Sequence, residues 1–214
     1  MMVTDSSIKT ILILAPHTDD AELGCGATIH RLMHEGNTVY CAAFSACKQS
    51  VKPEFPEDVL EKELKAASSE LGIKPENLIL FEYEVRTFNY HRQAILDDII
   101  KLRDKIMPDM VFVPSLNDIH QDHQTIAHEA VRVFKFSTLL SYELPWNNFN
   151  FNTALFFRLN EDNVEAKSRA LSCYKSQAHR DYMKPDFARS LAKVRGVQAG
   201  LPYAEVFEVV RMIL

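Results

Sequence analysis

Apolar positions along this chain follow two rhythms. Short unbroken runs, rich in Ile, Leu, Val and aromatic residues, occupy residues 11–15, 38–44, 77–81, 110–113 and 138–142 and predict strands. Between them, residues 22–35, 56–71, 90–107 and 122–133 carry apolar side chains at helical spacing with polar ones between, and predict helices. Strand and helix therefore alternate over the first 142 residues.

That alternation implies right-handed crossovers, a mostly parallel sheet and helices on both of its faces. The expected fold class is α/β, a Rossmann-like three-layer sandwich. Beyond Trp146 the segment ALFFRLN predicts another strand, residues 162–174 and 185–197 predict helices, and EVFEVV a last strand, so the sandwich carries a C-terminal extension of further strands and helices. At 214 residues the chain fits one domain, 1–214. In such sheets ligands gather at the carboxyl ends of the strands. The stretch SACKQSVKPEFPED, with two prolines, reads as a long loop at that edge.

Composition narrows the function classes. Hydrophobic residues make up 47% and charged residues 25%, the balance of a soluble globular protein. A net charge of -5 argues against a nucleic-acid partner. Four cysteines (Cys25, Cys41, Cys47, Cys173) without a CxxC spacing read as fillers and not as a disulfide framework, which points to the reducing cytoplasm. The N-terminal MMVTDSSIKT lacks a long apolar core, and ILILA is too short for a signal or a span, so neither export nor a membrane partner is expected. Nothing in the pattern bears against a homo-oligomer.

The candidate chemistry lies in APHTDDAELGCG, directly after the first predicted strand, and in PSLNDIHQDH, after the fourth. A catalytic zinc takes three protein ligands from His, Asp, Glu or Cys and keeps a position for water. His17 and an adjacent aspartate can bind one ion together, and His120, Asp122 and His123 approach the same sheet edge from a hundred residues away. Of the paired Asp19 and Asp20, one carboxylate can hold the ion while the other takes a proton from its water. Spacing does not decide which does which. Read separately, HTDD could merely cap the next helix, and His120 and His123 could be surface residues at a helix start. Their meeting at one edge favours the metal.

PHTDDAELGCG followed by HQDH resembles the PIG-L/LmbE family of zinc-dependent N-deacetylases, whose motifs are written (A/P)HPDDE and HxDH. CYKSQ and RGVQAGLPYAEVFE also resemble blocks of bacterial members, so the likeness covers most of the chain. The resemblance implies His17, Asp20 and His123 as zinc ligands, Asp19 as general base, His120 as the group that stabilises the oxyanion or protonates the leaving amine, and Asp122 as the partner that orients a histidine. It implies Zn2+, with another divalent ion such as Fe2+ as the variant, and hydrolysis of an N-acetylated amino sugar or conjugate, including nucleotide-linked ones, to acetate and an amine. Two departures stand out. Thr18 replaces the usual proline, and Ala21 stands where the motif has Glu, leaving Glu22 as a helix N-terminal carboxylate favoured by the dipole.

Other readings compete with this one. An amidase or esterase acting on another small acylated metabolite, or a sugar- or nucleotide-binding module without turnover, would use the same residues. Gly24 and Gly26 lack the third glycine of GxGxxG and lie inside a predicted helix, so close packing explains them better than a nicotinamide cofactor. His30, His34, His91 and His128 fall on predicted helices without ligand partners. Arg86, after the third strand, either clamps an anionic or hydroxylated substrate or serves a surface ion pair. Among the basic residues from 175 to 195, Arg180, Lys184 and Arg195 are candidates for a phosphate grip, against the plainer reading of a solvated helix face.

Overall fold

A computed structural model describes residues 9–213. The reading of the extreme N-terminus as carrying no export signal falls mostly outside that range. The elements are β1 (Thr10–Ala15), α1 (Asp20–His34), β2 (Thr38–Ala43), α2 (Val59–Glu70), β3 (Leu78–Leu80), α3 (Arg92–Ile106), β4 (Met110–Pro114), α4 (Gln121–Val133), β5 (Thr138–Tyr142), β6 (Leu155–Leu159), α5 (Glu161–Ser172), α6 (Pro185–Gln198) and β7 (Tyr203–Arg211). They form one seven-stranded sheet in the order β3-β2-β1-β4-β5-β7-β6. Strands β1 to β5 are parallel, and β7 runs antiparallel between β5 and β6.

The two-residue period of β1 explains the layers. Ile11, Ile13 and Ala15 pack with Leu23 and Ile29 of α1, Leu60 of α2 and Ala170 of α5. Leu12 and Leu14 point the other way, to Ile95 and Ile99 of α3 and Ile126 of α4. Being covered on both faces is why the strand reads as an unbroken apolar run. The expected elements all form, with small shifts at their ends. α2 starts at Val59 because the Val59 N–H donates to the Pro56 carbonyl and closes a turn before the helix begins. Among the described residues no helix is long and apolar enough to cross a membrane.

The start of α1 has its own support. The helix breaks at Cys25 (φ -146°, ψ 21°), and Ala27 and Thr28 donate their freed N–H groups to Glu205 at 3.2 and 2.7 Å. The Lys167 ammonium donates to the Leu23 carbonyl at 2.6 Å and to Glu205 at 2.7 Å. A buried ion pair thus satisfies the polar groups that the break exposes. Gly24 lies so close to the Tyr142 ring that a Cβ there would overlap it. Close packing accounts for this glycine. Cys25, Cys41 and Cys47 are buried, whereas Cys173 is only half-buried and packs against the margin of the core.

Candidate metal centre and catalytic cleft

The strand order reverses between β1 and β4, and the two histidine-bearing segments leave the sheet there. β1 ends at Ala15, and His17, Asp19 and Asp20 follow in the turn into α1. β4 ends at Pro114, and His120 caps the start of α4, its ring Nδ1 accepting the Asp122 N–H at 3.2 Å. His123 lies in the first turn of α4. Segments a hundred residues apart thereby share one site.

His17 Nδ1 stands 3.1 Å from His123 Nε2 and 3.2 Å from Asp20 Oδ2, and His123 Nε2 is 3.3 Å from the same oxygen. The far side of each ring is held. His17 Nε2 donates to Asp122 Oδ2 at 3.0 Å, and His123 Nδ1 donates to Asp118 Oδ2 at 2.8 Å. An ionised carboxylate only accepts, so the ring nitrogen facing it carries a hydrogen, and in the neutral ring that binds a cation the opposite nitrogen turns a lone pair inward. Asp122 also accepts the Arg86 N–H at 2.6 Å and the Phe88 N–H at 3.3 Å.

Three electron-pair donors therefore face one another. Ligand bonds of about 2.0–2.1 Å in a tetrahedral site put ligand atoms about 3.3 Å apart, which is the spacing these atoms already have. The donor set fits a divalent cation. His17, His120 and His123 also form a cluster at ligand distance. His120 differs, because its Nδ1 accepts a backbone hydrogen bond and the neutral ring must then keep its hydrogen on Nε2. A nitrogen bearing hydrogen can donate to a substrate oxygen but has no lone pair for a metal.

Charge follows geometry. Burial raises the Asp20 carboxyl, but His123 and His17 outweigh it and hold the group well below the usual range. Burial lowers His123, yet Asp20 and Asp118 lift it to about 10, and His17 moves upward for the same kind of reason. The pocket draws positive charge to this point. Burial pushes Asp19 up to about 6, with Asp20 adding and His17 and Arg180 opposing. Asp19 occupies the N-cap position of α1 but makes no side-chain capping bond, so the capping reading of HTDD does not apply. Burial, together with His123 and His17, lowers His120 to about 4 and keeps it neutral.

Glu22 lies in the first turn of α1, as expected, but it is wholly buried and neither carboxylate oxygen has a hydrogen-bond partner. The nearby Tyr174 hydroxyl spends its one hydrogen on the Thr18 carbonyl at 2.6 Å. Burial, with Asp19 adding, pushes Glu22 up to about 8.

A cleft of about 220 Å3 opens above the site, lined by Asp19, Asp20, His17, His120 and His123 together with Arg86, Arg180, Trp146, Gln177 and Tyr182. Lys184 and Arg195 do not line it. Lys184 pairs with Asp181 at 2.5 Å on the surface, and Arg195 is held by Glu143 beside α6. Asp118, which orients His123, escaped the sequence reading, although its place two residues before His120 in NDIHQDH was the available signal. Gln177 closes the CYKSQ block, whereas Trp146 in a turn and Tyr182 in a single 3-10 turn gave no such signal, because no long period marks those segments.

Comparisons with known proteins place the chain among relatives. The family model described as PIG-L, GlcNAc-PI de-N-acetylase, matches residues 12–134. The chain is 29% identical over 173 residues to the uncharacterized deacetylase YaiS of Escherichia coli (strain K12), covering 78% of this chain and 91% of that protein. Among solved structures, the N,N'-diacetylchitobiose deacetylase of Pyrococcus horikoshii is similar at a TM-score of 0.79 and 23% identity, over 94% of this chain and 84% of that one. GalB, the 4-carboxy-2-hydroxymuconate hydratase of Pseudomonas putida KT2440, is similar at 0.76 and 18% identity, over 97% of this chain and 98% of that one. The fold alone therefore serves more than one reaction.

Proposed function

This chain belongs to the PIG-L family of de-N-acetylases, and from that premise we propose that it is a zinc-dependent hydrolase that removes an N-acetyl group from an amino sugar or amino-sugar conjugate. The observation that carries the reading is the convergence of His17 Nδ1, His123 Nε2 and Asp20 Oδ2 at 3.1–3.3 Å, beside an Asp19 carboxylate with no capping duty. The deacetylase description of the Escherichia coli relative and the sugar substrate named for the Pyrococcus neighbour support it.

His17, Asp20 and His123 would hold the ion, with Asp122 and Asp118 fixing the two rings. A divalent cation bound there supplies Lewis-acid polarisation of an acyl oxygen and a water made acidic enough to react near neutrality. Asp19 accepts the proton of the attacking water as its oxygen bonds to the acetyl carbon. His120, with hydrogen on Nε2, donates to the carbonyl oxygen as negative charge develops on it. The carbon–nitrogen bond then breaks, the Asp19 proton passes to the nitrogen, and acetate and a free amine leave.

Metal content and acetate release test the reading together. Purified protein should bind one zinc per chain and release acetate from N-acetylglucosamine derivatives faster than from simple esters. His123→Ala should lower zinc affinity. A zinc-loaded protein that hydrolyses esters and leaves every acetamido sugar intact would overturn the proposed reaction.

A further inference from the structure

Most arginines in the described part of this protein are neutralised. Arg31, Arg92, Arg103, Arg132, Arg169, Arg189 and Arg195 each pair with a carboxylate. Arg86, Arg158, Arg180 and Arg211 do not, among the described residues, and of these four Arg86 and Arg180 line the cleft above the metal centre. The side-chain hydrogen bond of Arg86 is a long one, 3.4 Å from Nη2 to Ser50 Oγ. Arg180 donates to the Tyr182 hydroxyl, and its guanidinium carbon lies 5.6 Å from the centre of that ring. Each keeps donors uncommitted.

The backbone adds an independent observation. Arg86 has φ 72°, a left-handed conformation that disfavours a long side chain, and its N–H is clamped at 2.6 Å by Asp122, which also holds His17. An uncomplemented cation is thus tied to the metal centre through one carboxylate. Asp118 and Asp122 are fully buried and turned towards the histidines, and Asp19 acts on Arg180 through space without forming an ion pair with it. The wall beside Arg180 is aromatic, with Trp146 stacked on Tyr182 at 4.0 Å and 10°.

Resting on the deacetylase reading, we propose that the substrate is an anionic acetamido sugar, whose carboxylate or phosphate is bound by Arg86 and Arg180 while its acetamide lies over the metal centre. Planar guanidiniums recognise both kinds of oxyanion through paired N–H groups, which a neutral sugar cannot match. The Trp146–Tyr182 wall offers apolar surface to the sugar ring.

The test compares neutral N-acetylglucosamine with its 1-phosphate, its 6-phosphate and the carboxylate-bearing N-acetylmuramic acid on the zinc-loaded enzyme. At least one anionic sugar should surpass the neutral one in kcat/KM by roughly ten-fold or more, as expected for a charge-assisted contact. The phosphate and carboxylate arms identify which oxyanion is used. Arg86→Asn, chosen because Asn tolerates the left-handed backbone, should reduce that ratio, and Arg86→Lys should restore part of it. Calorimetric binding of the same sugars gives a readout independent of turnover. A neutral sugar used and bound as well as every anionic one, or a ratio unmoved by both Arg86→Asn and Arg180→Gln, would overturn the proposal. Selective binding of an anionic sugar without any acetate release would retain the anion site and sink the deacetylase reading instead.

Discussion

Replacing Asp118 with Asn should weaken zinc binding although Asp118 touches no metal. Its two oxygens are divided: Oδ1 accepts the His120 backbone N–H at 2.8 Å, and Oδ2 accepts His123 Nδ1 at 2.8 Å. A backbone N–H can only donate, so the amide oxygen of Asp118→Asn must stay on His120. The amide NH2 then faces His123. The ring can receive that donor only by moving its hydrogen from Nδ1 to Nε2, the atom that faces Asp20 and His17. A lone pair is replaced by a hydrogen where the metal binds.

Losing such an orienting partner costs about 10–100-fold in metal affinity, which is about 1.4–2.8 kcal/mol. The upper half of the range is expected here, because the nearby Asn147 Nδ2 can only donate and offers His123 no substitute acceptor. Competition of zinc against a chelator of known affinity, on wild type and variant with matching circular dichroism, measures the effect. Nitrogen NMR of the His123 ring in the metal-free variant should show Nδ1 without a hydrogen, whereas in the wild type, where Asp20 and Asp118 hold the ring charged, both nitrogens carry one. Unchanged zinc affinity in a folded variant would refute the assigned tautomer, and with it the role of His123 as a ligand.

Two further outcomes follow from buried carboxyl groups. Asp19→Asn should keep its zinc and lose about 10²–10⁴ in kcat, and in the wild type kcat/KM should fall as pH drops through the titration of Asp19. Burial sets that titration at about 6 without metal, and bound cation moves it lower, so an acid limb centred above 7 would contradict the base assignment. Glu22 is retained as the acid up to about 8 in the fold, whereas the ordinary value is 4.5. The unfolded chain therefore releases a proton that the folded chain keeps, and stability falls as pH rises from about 4.5 to 8. Glu22→Gln removes that slope, so metal-free melting curves should favour the variant increasingly across this window, by on the order of a few kcal/mol at its upper end. Parallel curves for the two proteins would refute the burial argument.

Much of the fold was legible because local periodicity carried it. The run 11–15 is apolar at every position because β1 has a helix layer on each face, and residues 122–133 show a helical stripe because α4 buries only one side. The candidate ligands were legible for another reason, since His17 and His123 stand in dense clusters of donor residues next to strand ends. Lys184 and Arg195 lie off the cleft because local basicity says nothing of direction: one finds Asp181 three residues away, the other Glu143 from a distant loop. Glu22 has the helix position its spacing implies, but its complete burial was not legible, because burial is set by residues brought over it from other elements.

Taken alone, the sequence determined the alternation of elements, the parallel sheet and the two motifs at its edge, all of which depend on spacing within a few residues. Tertiary structure alone decided which atom of each residue faces the centre. His17 turns Nδ1 inward and His123 turns Nε2 inward because Asp122 and Asp118 hold the opposite nitrogens, and the Nδ1 of His120 is taken by a backbone hydrogen bond. A histidine has two chemically similar nitrogens, and only the partners that the folded chain brings to them make the two different.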